Sequence, residues 1–111
     1  MEFLNRIELA GVVGRIHRQT VSDQLMANFS LVTEYGFRDK GGCAVIETTW
    51  HNVVAWKSDN ISCLDAIDRG SHVHVIGRLR TRRYADSNGE NRVSYEAVAS
   101  CVEVMSVQET L

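Results

Sequence analysis

The 111-residue sequence has no long apolar run, no cysteine pair and no large excess of charge, and each absence closes a class of function. No stretch approaches the roughly 18 apolar residues that a membrane span needs. The opening M-E-F-L-N-R-I-E lacks the basic-then-apolar order of a secretory signal. The expectation is an intracellular, cytoplasmic protein with no membrane partner. Cys43, Cys63 and Cys101 are odd in number, far apart and without a C-x-x-C pair, so neither a disulfide framework nor a zinc site is indicated. They read as free, mostly buried thiols. His72 and His74 stand two apart on one predicted strand, and no third ligand falls at metal spacing. Glycine-rich phosphate loops and nucleophile motifs are missing too. The sequence therefore predicts a non-enzymatic protein with no metal and no cofactor. A net charge of −2 argues against coating duplex DNA by bulk charge.

What is present is local. With 44% hydrophobic and 23% charged residues the chain is an ordinary globular sequence, long enough for one core and too short for two. Ten of its twelve basic residues are arginine, and Arg78, Arg80, Arg82, Arg83 and Arg92 crowd one predicted hairpin. Residues 70–84, G-S-H-V-H-V-I-G-R-L-R-T-R-R-Y, alternate with period two. Val73, Val75, Gly77, Leu79 and Thr81 share one face; Ile76, Arg78, Arg80, Arg82 and Tyr84 share the other. Two readings fit that second face. Charged side chains keep strand edges soluble, and guanidinium groups spaced along a strand and ending in an aromatic suit a polyanion whose bases stack, as in single-stranded nucleic acid.

Residues 5–15 read as a first strand, and Gly11 and Gly14 suggest a bulge or a barrel corner in it. Residues 17–25 are polar and read as a loop. Residues 26–35 form a second strand, followed by a glycine-rich turn with Tyr35, Phe37, Arg38 and Lys40 at its base. That loop is either a mobile finger over a strand of bases or a plain hairpin. Residues 47–57 are the third strand, with Trp50 and Trp56 of one parity. The two rings are either stacking platforms or core, and the apolar opposite face of Val53 and Ala55 favours platforms.

Residues 58–69 change period, since Ile61, Leu64 and Ile67 recur three apart between an N-cap candidate and Gly70, which predicts a helix. Asn88-Gly89 marks a hairpin turn, and residues 92–105 return as the last strand. Three strands, a helix and two strands in a small domain predict an all-β, five-stranded oligonucleotide/oligosaccharide-binding barrel with one helix between strands 3 and 4. The domain is expected over residues 1–105, with a short C-terminal extension at 106–111.

The runs T-T-W-H-N-V-V-A-W at 48–56, G-S-H-V-H-V-I-G-R-L-R-T-R-R-Y at 70–84 and N-R-I-E-L-A-G-V-V-G-R at 5–15 resemble bacterial single-stranded DNA-binding proteins, in that family's order. The resemblance implies sequence-independent binding and protection of single-stranded DNA in replication, recombination and repair, at the nucleoid. It also implies a homotetramer wrapped by DNA, with a dimer as the alternative. Its stacking positions match Phe37, Trp50, Trp56 and Tyr84, the four aromatics already chosen from the residues. Arg38, Lys40, Arg78, Arg80, Arg82 and Arg83 are the expected phosphate contacts. Family members continue into a polar linker and an acidic tip that recruits replication and repair enzymes. This sequence reads S-V-Q-E-T-L there, so the resemblance leaves such partners unassigned. The alternative is a primosomal-type relative that docks replication-restart partners.

Overall fold

A computed structural model describes residues 2–105, so the expected extension at 106–111 lies outside the described residues. Five strands, β1 (Ile7–Val21), β2 (Gln24–Arg38), β3 (Ala44–Trp56), β4 (His72–Ala85) and β5 (Asn91–Val104), close into a barrel in the order β1-β2-β3-β5-β4. All neighbours are antiparallel except β3 and β5, which close the barrel through the parallel pairs Val53↔Ala97 and Val54↔Val98. Alternation explains the interior. Val13, Phe29, Leu31, Val53, Val73, Val75 and Val102 point inward and are fully buried.

The first strand bends where its glycines stand. Its ladder with β2 shifts register between Val13 and Ile16, a bulge that turns the barrel corner. At Gly11 the neighbouring strand approaches so closely that a Cβ would sit 2.1 Å from the carbonyl oxygen of Val32, which excludes any other residue.

Two expectations need correction. Residues 17–25 are not a loop. They continue β1, turn in two residues at Ser22 and Asp23 (φ 50° and 65°) and start β2. Ser-Asp is a weak signal for such a turn, which normally advertises itself with Asn-Gly. The helix over 58–69 is also absent. Ser58 and Ile61 form a bridge, and the segment's one helical turn is a 3-10 turn at Leu64–Ala66. Ile61, Leu64 and Ile67 are nonetheless buried, because a spacing of three lets an irregular connector drop three apolar plugs into the open end of the barrel. Arg18 of β1 holds the connector in place. Its Nε donates to the carbonyl oxygen of Leu64 at 2.9 Å, its Nη2 donates to that of Ile67, and Asp68 lies 3.6 Å away. Of the cysteines, Cys43 is exposed, while Cys63 and Cys101 are half-buried.

Both long hairpins run beyond the barrel. Residues 34–38 of β2 and 78–85 of β4 are exposed throughout, although their alternation continues unbroken. The radius of gyration, 16.4 Å, exceeds the roughly 13 Å of a compact chain this long, which is the signature of two projecting arms.

Candidate nucleic-acid interface

The ladder between β2 and β3 keeps one register from Met26↔Trp56 to Arg38↔Ala44, so its two faces are unambiguous. Phe29, Leu31, Val53 and Ala55 occupy the core face. Trp50, opposite Val32, and Trp56, opposite Met26, therefore share the outer face, with Asn52, Ser30, Val54 and Asn28 between them. Trp50 is 59% exposed and Trp56 half-buried. The Trp50 indole has a seat: a Cβ on Gly14 would lie 2.5 Å from its Cζ3 and 2.8 Å from its Cη2. The ring thus lies over the bare backbone of the β1 bulge, and the absence of a side chain at residue 14 fixes how it is presented.

A cleft of about 740 Å³ opens beside Trp50, lined by Gly14, Arg15, Ile16, Ser30, Asn52 and Arg69. Another, of about 600 Å³, opens beside Trp56 and is lined by Gln19, Asn28, Arg80, Arg82 and Arg83 among others. A smaller depression of about 210 Å³, which shares Arg15, Ser30 and Asn52 with the first and Asn28 with the second, joins them. A concave track thus crosses the outer face from one tryptophan to the other.

The cations along this track differ in availability. Arg15, Arg69, Arg82 and Arg83 have no acidic partner among the described residues. Arg80 does have one: its Nε donates to Oε1 of Glu96 at 2.9 Å and its Nη2 to the same oxygen, and that carboxylate is nearly buried on β5. Arg80 is thereby a structural counter-ion, unlike its neighbours. Arg78 lies apart, in a depression with Leu4, Asn5 and Arg6. Arg38 donates from its Nη1 to the carbonyl oxygen of Gly42 at 3.0 Å, closing the β2–β3 turn, in which Lys40 is exposed.

The remaining aromatics sit on the arms. Phe37 has the core-side parity of its ribbon, so it lies on the face opposite Trp50 and Trp56. Its ring stacks on Tyr35 with centroids 6.1 Å apart and planes at 28°. Tyr84 is 45% exposed near the tip of the β4–β5 hairpin, opposite Arg92. Below it Asp86 organises the turn. Its Oδ1 accepts from the amides of Asn88 and Glu90, and its Oδ2 accepts from Arg92 Nε at 2.9 Å. The Arg92 guanidinium, with those amides, holds the Asp86 carboxyl below the usual range. Burial lowers the pKa of His51, whose Nε2 lies 2.8 Å from Thr33 Oγ1.

Arg15, Arg69 and Tyr35 are site neighbours that the site prediction omitted. Arg15 lies within the bulge, where strict alternation stops assigning faces, and Arg69 stands in a turn, where no period applies. Tyr35 stands at the base of the predicted loop, but its stack with Phe37 needs the three-dimensional arm. Among the described residues no three His, Cys, Asp or Glu side chains gather as a metal site, and His74 Nε2 instead meets Glu8 Oε2 at 2.7 Å.

Comparison with known proteins agrees over nearly the whole chain. Residues 4–105 match the model of the single-strand binding protein family. The chain is 32% identical over 110 residues to single-stranded DNA-binding protein 1 of Chlorobaculum tepidum, covering 96% of this chain and 68% of that one. It is 28% identical over 104 residues to a single-stranded DNA-binding protein of Neisseria meningitidis, covering 92% and 60%. The chain thus spans only about two thirds or less of the length of these relatives. Its fold superposes on the Plasmodium falciparum protein solved as an SSB complex with ssDNA, with a TM-score of 0.82 at 26% identity, covering 96% of this chain and 98% of that one. By sequence and by fold, the chain belongs to the single-strand binding protein family.

Proposed function

We propose that this chain binds single-stranded DNA without sequence preference and protects it in replication, recombination and repair, acting in the cytoplasm as a binding protein and not as an enzyme. The observation that carries this reading is the outer-face track. An exposed indole, Trp50, and a half-buried one, Trp56, stand at its two ends, and the lining of the clefts includes Arg15, Arg69, Arg82 and Arg83, which have no acidic partner among the described residues. Stacking on Trp50, Trp56, Tyr84 and Phe37 contributes about 1–3 kcal/mol per base and is indifferent to base identity, since every base has a π-face. Arg15, Arg69, Arg82 and Arg83 meet phosphates. Arg80 supports the groove from its pair with Glu96, and Arg38, Lys40 and Arg78 serve the flanks. A duplex hides its base faces, so the same surface discriminates against it. Four phosphate contacts per chain imply a log–log salt slope of at least about −2.8.

Residues 1–105 act as one binding domain in this reading, and the chain assembles as a homotetramer. One barrel offers a short track, whereas four offer a continuous path. Residues 7–11 of β1 pair with β4 along one edge and precede the ladder with β2, so their second edge has no strand partner among the described residues and suits pairing across a two-fold axis. Sedimentation at micromolar concentration should give a multiple of the 12.5 kDa chain mass, and a monomer would contradict the assembly.

The function itself is tested by competition. A labelled oligothymidylate should be displaced by unlabelled single strands of any sequence and not by duplex of the same length. Equal competition by duplex would overturn the reading.

A further inference from the structure

Resting on that reading, a further base contact stands outside the four aromatics assigned so far. Only two residue pairs close the barrel between β3 and β5, and upstream of Val53 and Ala97 the strands part, each staying paired to its own hairpin partner. The parting leaves a fork between the two arms. At its mouth is a cleft of about 130 Å³ whose lining brings Trp50, His51 and Asn52 of β3 together with Leu79 of β4 and Tyr95 of β5. Tyr95 is 65% exposed and Leu79 is 42% exposed, where the β4–β5 hairpin leaves the core at Ala97. Neither Trp50 nor Tyr95 stacks on another ring among the described residues, where the one aromatic pair is Tyr35 with Phe37. The acid bordering the cleft, Glu96, is neutralised by Arg80, so it does not repel a polyanion.

We propose that Tyr95 is a base-stacking residue, which with Trp50 grips one base in the fork where the arms separate. The strand then leaves the Trp50–Trp56 track at Trp50 and turns onto the face of the β4–β5 arm that carries Tyr95 and Val93, which are two apart on β5 and share parity. The size fits the occupant. The cleft holds the volume of about four waters, enough for one flat heteroaromatic ring and too little for a folded peptide segment. Two aromatic rings recognise a π-face and not a sequence.

The test compares the parent, Tyr95→Ser, Tyr95→Leu, Tyr95→Phe and Trp50→Ala by anisotropy of a labelled oligothymidylate at several salt concentrations, with thermal midpoints alongside. Tyr95→Ser and Tyr95→Leu are expected to weaken binding by about 5- to 100-fold, with unchanged salt slope and an unchanged midpoint. Tyr95→Phe should stay within about two-fold of the parent, because the ring and not the hydroxyl makes the contact. Parent-like affinity in Tyr95→Ser and Tyr95→Leu beside a weakened Trp50→Ala would overturn the fork contact while leaving the single-strand reading intact. A Tyr95→Phe as weak as Tyr95→Ser would overturn stacking. A parent that fails to bind would remove the reading on which the fork depends.

Discussion

The barrel and the arms are built from the same strands, yet they meet opposite fates. Along β2 the residues Ala27, Phe29 and Leu31 are fully buried, whereas Tyr35 and Phe37, with the same parity, are 68% and 41% exposed. Alternation decides which side chains share a face, and closure of the sheet decides whether that face becomes core. Where β3 reaches β5 the inner face is sealed. Where the strands part it is an open surface of aromatics and cations, and the proposed DNA contacts concentrate on that surface and on the outer face beside it.

The comparison breaks most sharply under paired truncations. Phe29→Ala should cost about 3–5 kcal/mol of stability, the usual loss for a buried phenylalanine, while Tyr35→Ala should stay within about 0.5 kcal/mol. Denaturant melts of the two variants check this, and comparable losses would mean that the arms share the core. Arg18→Ala comes next. It strips donors from the carbonyls of Leu64 and Ile67 and should cost about 1–3 kcal/mol, while single-strand affinity under conditions that keep the variant folded holds at the parent value.

Much of this division was legible beforehand, in particular places. Trp50 and Trp56 fall on one face because they are six residues apart in a strand, and the β3 and β4 ladders keep that alternation. The face of Phe37 is not legible in the same way. Parity cannot be carried across a turn until the hairpin register is known, and here even residues pair with even, which sets Phe37 on the other face. The arginine stripe of β4 also looked uniform. Its division depends on what lies opposite: Glu96 on β5 for Arg80, and the segment from Leu4 to Arg6 for Arg78. The i, i+3 spacing at 61, 64 and 67 was read as a helix although it only requires three plugs in one direction. Partners distant in sequence and irregular backbone are what period and composition do not encode.

The division among the arginines gives the next, smaller effect. Arg82→Gln with Arg83→Gln should flatten the log–log salt slope by about 1.4 and leave the melting midpoint in place. Arg80→Gln should do the reverse, since it strands a nearly buried Glu96 without its counter-ion. A slope change from Arg80→Gln alone, with no loss of stability, would erase the distinction.

The smallest effect is confined to the tip of one arm. Because Asp86 titrates lower in the folded chain than in the unfolded one, its contribution to the turn is present above the ordinary value of 3.8 and is lost as pH falls through the lower folded value. The amide resonances of Asn88 and Glu90 should therefore hold their positions down to that ordinary value and move only beneath it. Movement centred above it would show that Arg92 does not hold the carboxylate.

The central claim is that bases stack on the outer face of β3. Its most direct test is tryptophan emission from Trp50→Phe and Trp56→Phe, each of which keeps one indole, titrated with oligothymidylate at low and high salt. The account predicts quenching of the remaining indole in both variants, persisting in part at high salt, and none with duplex DNA. Binding that leaves both indoles unquenched would place the strand elsewhere and contradict the account.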